Sequence, residues 1–155
     1  MVYVFALAAG IGVVAGLRSL LAPAAVAWAA YLGWLHLHDT SLAFMGSKAA
    51  VAIFSLLALG ELIADKLPRI PKRTAIMPLL ARMVTGGLGG ICLCASANQP
   101  SWVGGALGAV GAISGAFAGY ELRRRIVNRF NVPDFVVALL EDVIAIGLAT
   151  FLVSR

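Results

Sequence analysis

The sequence is short of charge. Only 12% of its 155 residues are Asp, Glu, Lys or Arg, where a soluble domain carries about 25%. With 61% hydrophobic residues and a mean hydropathy of +0.96, too little polar surface remains to coat a water-soluble globule. Disorder and an ordinary soluble enzyme therefore fit poorly. A secreted disulfide scaffold fits poorly for the same reason, while the two cysteines, Cys92 and Cys94, lie inside one apolar run and say little about redox compartment. The opening residues Met1-Val2-Tyr3-Val4-Phe5 lack the basic residues of a cleaved signal peptide, and the segment is expected to be retained. The sequence contains no Gly-x-Ser-x-Gly, no Walker loop and no His-Glu-x-x-His. The expectation leans away from an enzyme, with no catalytic residue, cofactor or metal assigned. His36-Leu-His38-Asp39 offers too few ligands to change this.

What the chain has is long apolar runs, at about 2–16, 20–35, 47–65, 76–97, 101–122 and 134–153. A membrane-crossing helix takes about 20 such residues. The reading is an all-α, polytopic membrane bundle of about six transmembrane or re-entrant helices, forming a single membrane domain over 1–155. The interruptions carry the topology. Residues 2–35 as one helix would measure about 50 Å against a hydrocarbon core near 30 Å, so a break at Leu17-Arg18-Ser19 is expected. Pro68 and Pro71 stop the third run. Asn98-Gln99-Pro100 reads as a tight turn, and Arg123 to Arg129 as a loop before the last span.

With six crossings, Arg18, Lys66, Arg69, Lys72, Arg73, Arg123, Arg124, Arg125 and Arg129 gather on one side. That side is expected to be cytoplasmic by the positive-inside rule. Tyr3, Tyr31, Trp34 and Trp102 then fall at the opposite interface. Five crossings satisfy the charges almost as well but strand Tyr3. The formal charge of +5 is thus spent on orientation. No basic face with interleaved aromatics suggests nucleic acid.

An internal similarity links the halves. Phe54-Ser-Leu-Leu-Ala-Leu-Gly-Glu61-Leu-Ile-Ala64 aligns with Phe135-Val-Val-Ala-Leu-Leu-Glu-Asp142-Val-Ile-Ala145 at a constant offset of 81 residues. With three helices per half, 1–73 and 74–155 would form a 3+3 inverted repeat, the usual construction of secondary transporters. Chance matching among a few apolar letters is the competing reading.

Four acids, Glu61, Asp65, Glu141 and Asp142, lie within apolar runs. A carboxylate at the bilayer centre costs about 2.5–3.5 kcal/mol on insertion scales, so such acids mark sites or pair with cations. Glu61 and Asp65, four residues apart, share a helical face. Glu141 and Asp142 are about 100° apart and cannot point the same way. Arg18 and Arg82 are the candidate counter-ions, or anion-binding forks suited to carboxylate or phosphate. These six residues form the expected substrate- or ion-binding set. For Asp65, simple pairing with Lys66 or Arg69 is the structural alternative. Glycines at 104, 108, 111, 115 and 119, with Gly12-x-x-x-Gly16 and the cluster at 86–90, read as close helix packing. The ridge from Gly104 to Gly119 is also where homo-oligomerisation is expected.

The set Ala15-Gly-Leu-Arg18-Ser, Glu61-Leu-Ile-Ala-Asp65-Lys-Leu-Pro68, Ala81-Arg82, Gly115-Ala-Phe-Ala-Gly119-Tyr and Leu140-Glu141-Asp142 resembles a family of small prokaryotic integral membrane proteins of the DUF4126 type, a domain of unknown function. The resemblance spans nearly the whole chain. It implies a multi-pass protein of the bacterial plasma (inner) membrane and carries no activity with it. The first functional reading is a small transporter or channel with a polar site between halves, for an anionic or lipid-phosphate substrate coupled to protons or cations. The rivals are a lipid-phosphate binding protein or enzyme, and a structural membrane subunit. Beyond the bilayer, a small ion or an anionic lipid-like molecule is the expected partner.

Overall fold

In the computed structural model, residues 2–65, 75–130 and 133–155 are described. The prolines at 68 and 71, and the basic residues at 66, 69, 72 and 73, lie outside these residues. The described chain is all-helical: α1 (Val2–Leu17), α2 (Leu21–Tyr31), α3 (Lys48–Ala64), α4 (Ile76–Ser96), α5 (Ser101–Phe130) and α6 (Asp134–Val153). A short 3-10 turn, Ala43–Gly46, lies before α3. Of these helices α4, α5 and α6 are long and apolar enough to cross a membrane. The first two are shorter, about 24 Å and 16 Å at 1.5 Å per residue.

The break expected at Arg18 is present, and residues 18–20 join α1 to α2. The second run ends earlier than its composition suggests, at Tyr31, because Gly33 takes a left-handed φ of +78°. The opposite correction applies to α5. It runs to Phe130, so the expected loop from Arg123 to Arg129 is helical. Arginine, leucine and glutamate are good helix formers, and Glu121 pairs with Arg125 one turn on at 2.7 Å. Nothing in bilayer physics requires a helix to stop where its apolar stripe stops. The Asn98-Gln99-Pro100 turn is as expected, with Asn98 at φ 53°.

Successive helices run in opposite directions, so the bundle has two ends. One end holds the first residues of α1 and the last of α4 and α6: Tyr3, Trp34, Ser96 and Arg155 line one small cavity there. The other end holds Arg18, the carboxyl end of α3, the lower half of α5 and the start of α6. We call these the aromatic end and the arginine end.

Close packing joins α1, α4 and α5. A Cβ at Gly12 would overlap the carbonyl oxygen of Gly108, and one at Gly108 would overlap that of Gly86. Gly90 and Gly104 meet in the same way, and Gly111 and Gly115 lie against the backbone of Ala9 and Val13. Without side chains at these positions the backbones come into direct contact, the small-residue mode of membrane helix association. The ridge on which an oligomer was expected is therefore covered over Gly104–Gly115 by α1 and α4 of the same chain. The halves do not pack alike. α5 wedges between α1 and α4 on glycines, whereas α2, its counterpart under the sequence offset, contains none. This packing does not show an inverted repeat. The core continues through Val26, Ala29, Ala30, Leu37 and Met45. α3 lies mainly along α2, with only Ala50, Val51 and Ala58 buried.

Candidate functional site

The junction between α1 and α2 leaves two helix ends unsatisfied, and long-range side chains close both. The last carbonyls of α1 have no helical partner. Arg82, buried on α4, donates from Nη1 to the carbonyl oxygens of Gly16 and Leu17, the latter at 3.1 Å. A cation at a helix carboxyl end is favoured by the helix dipole. At the amino end of α2, Glu61 supplies the opposite charge. Its Oε1 accepts the N–H and the hydroxyl of Ser19 at 2.8 and 2.7 Å, and its Oε2 accepts the Leu20 N–H at 2.8 Å. Arg82 and Glu61 are themselves 4.0 Å apart.

Between these two ends stands Arg18, 1% exposed and the largest fully buried side chain among the described residues. Its Nη1 lies 2.6 Å from Asp65 Oδ2 and its Nη2 2.5 Å from Asp142 Oδ1. One guanidinium thus bridges the end of α3 and the middle of α6. Arg18 Nε, also buried, has no hydrogen-bond partner among the described residues. Arg123 on α5 extends the cluster outward. It approaches Asp65 at 3.2 Å, Glu141 at 3.7 Å and Asp134 at 2.5 Å. Asp142 and Glu141, adjacent in sequence, reach different arginines as their angular separation requires.

All six residues singled out in the sequence, Arg18, Glu61, Asp65, Arg82, Glu141 and Asp142, therefore meet at one place. Glu61 and Asp142 arrive at the same three-residue junction through different partners, Ser19 and Arg18. Three participants were not singled out. Ser19 carries no signal beyond its place next to Arg18. The sequence reads Arg123 as part of a connecting loop and Asp134 as the first residue of the last apolar run, and only the continuation of α5 brings Arg123 back over the acids. The suggested pairing of Asp65 with Lys66 or Arg69 falls outside the described residues. His36 and His38 are exposed at the aromatic end, where the His36 N–H donates to Ser96 Oγ at 2.9 Å. Cys92 and Cys94 are buried free thiols on α4, and Cys94 lies against Gly104.

The depth of the cluster follows from helix rise. Asp142, Glu61 and Arg82 lie about 16–21 Å along their helices from the aromatic end. That distance is less than the thickness of a hydrocarbon core, about 30 Å. Charges within a membrane bundle are expected to face its interior and pair with one another, and Arg18, Asp65 and Asp142 do so here.

Residues 5–154 match the family described as Domain of unknown function (DUF4126). The chain belongs to this family. The match covers every helix of the cluster, so the junction and its acids are inside the DUF4126 domain. No curated protein and no solved structure matches the chain.

Proposed function

We propose that this DUF4126 protein is a small membrane transporter or channel whose working site is the Arg18 cluster, with protons or a small cation exchanging at its carboxylates. The observation that carries this reading is the fully buried Arg18 held between Asp65 and Asp142, at the break between two short helices. Broken helices whose ends point at a polar site within the membrane are a common means of binding ions in transport proteins.

The chemistry follows from the pairings. Protonating Asp65 or Asp142 removes one of the two charges opposing Arg18. The guanidinium then accepts an anionic group in its place, or releases the helix that carried the acid. α3 is suited to such release, because it brings both Glu61 and Asp65 to the site while its flanks rest chiefly on α2. Deprotonation restores the bridge and closes the site. The rival in which Arg18 and Arg82 hold a lipid phosphate has less support, since Arg18 faces two carboxylates and Arg82 is turned onto the carbonyls of α1.

The test is flux. The chain is reconstituted into liposomes containing a pH-sensitive dye, and a pH step is imposed with and without monovalent cations. The wild type is expected to pass protons or exchange them for a cation. Asp142→Asn and Asp65→Asn, still folded by thermal melt, are expected to lose that signal. A wild type with no pH- or cation-dependent signal, and variants that lose only stability, would leave the cluster a structural ion network.

A further inference from the structure

We infer that the seam between α5 and α6 at the arginine end is a docking site for one anionic phospholipid. The seam holds a cavity of about 200 Å³ lined by Leu17, Leu122, Ile126, Leu140 and Ile144, with Arg123 and Glu141 at its wall. It opens sideways: Leu122, Leu140 and Ile144 are each about 60% exposed on helices long and apolar enough to cross a membrane. A cavity of this shape, apolar and open to the bilayer, takes part of an acyl chain.

The headgroup is selected by what lies below. At about 100° per residue, Leu122, Ile126 and Arg129 fall on one face of α5, with Arg125 beside them. The cavity face therefore continues, one to two turns down, into two exposed arginines. Arg129 meets no carboxylate among the described residues. Arg125 donates from Nε to Glu121 Oε1 at 2.7 Å, yet its side chain is 74% exposed. The acid at the wall, Glu141, has its Oε2 3.7 Å from Arg123 Nη1, and that guanidinium offsets its charge. Two guanidinium forks suit the oxygens of a phosphodiester, and a basic pocket between membrane helices is a known form of anionic headgroup site. The site uses neither Arg18 nor Arg82, and does not depend on the transport reading.

The experiment counts bound lipid. The full chain in detergent is titrated with phosphatidylglycerol or phosphatidylcholine of identical acyl chains, and bound molecules are counted by native mass spectrometry. Phosphatidylglycerol is expected to bind preferentially. Arg125→Gln with Arg129→Gln, both exposed, is expected to weaken it about twenty-five-fold, about five-fold per arginine, leaving phosphatidylcholine unchanged. Ile144→Trp, which fills the cavity without altering charge, is expected to weaken both lipids. Equal binding of the two lipids by the wild type would overturn the site. So would phosphatidylglycerol binding that survives both the double arginine variant and the filled cavity. The double variant tests the headgroup even if the filled one fails to fold.

Discussion

Glu61 caps the amino end of α2 through Ser19, taking both its N–H and its hydroxyl on one carboxylate oxygen at 2.8 and 2.7 Å. A side chain from α3 thereby satisfies a helix end 42 residues earlier in the chain. With Arg82 on the carbonyls of Gly16 and Leu17, the two halves of a broken helix end on opposite charges that also face each other.

Removing that carboxylate leaves three donors without an acceptor. Glu61→Ala is expected to cost about 1–2 kcal/mol, the scale of a lost helix cap, and more if water cannot reach the junction. Glu61→Gln retains one acceptor oxygen and should fall between. Thermal unfolding in detergent, on both variants and on Ser19→Ala, checks the order. Equal stability of Glu61→Ala and wild type would refute the capping role.

Arg18 is expected to be the least replaceable of the cluster. Breaking a buried ion pair from one side costs about 3–5 kcal/mol, because the partner charge stays buried. Arg18→Met leaves Asp65 and Asp142 facing each other. Adding Asp142→Asn should recover part of the loss, since the pair is coupled. A double-mutant cycle on melting temperatures measures it, and strict additivity would show that the two residues do not interact.

The glycines divide into two groups with opposite expectations. Gly12→Ala and Gly108→Ala push a Cβ into a neighbouring backbone and are expected to destabilise by at least about 1–3 kcal/mol, as overpacking does. Gly60→Ala and Gly147→Ala meet open space on helices. There alanine is expected to gain about 0.5–1 kcal/mol. Comparable melts for all four would contradict the packing of α5 between α1 and α4.

Tyr3 and Arg155 line the same cavity, so both termini are expected on one side of the membrane with six crossings. Single cysteines at positions 3, 128 and 155, in a chain with Cys92 and Cys94 replaced by alanine, allow a labelling test. Positions 3 and 155 should react from one side and 128 from the other, the charge bias making the latter cytoplasmic. Opposite-side labelling of 3 and 155 would favour an odd number of crossings.

Composition alone determined that the chain is helical and membrane-compatible, because hydrocarbon leaves a backbone almost no option but the helix. The break at Arg18 was legible for a related reason, since an apolar run of that length cannot lie straight across a bilayer. Six of the charged residues of the cluster stood out because charge inside apolar runs is expensive and must be answered. Only the tertiary structure decided who answers whom. That Arg18 faces Asp65 and Asp142, that Glu61 serves Ser19, and that the Gly104–Gly115 ridge packs inside the chain depend on contacts between distant segments. Arg123 shows the limit most plainly. Its sequence neighbourhood reads as a polar connection, and it became part of the cluster because α5 stays helical beyond its apolar stripe. Local patterns report the solvent a segment prefers, whereas pairings among buried charges depend on the register at which whole helices meet.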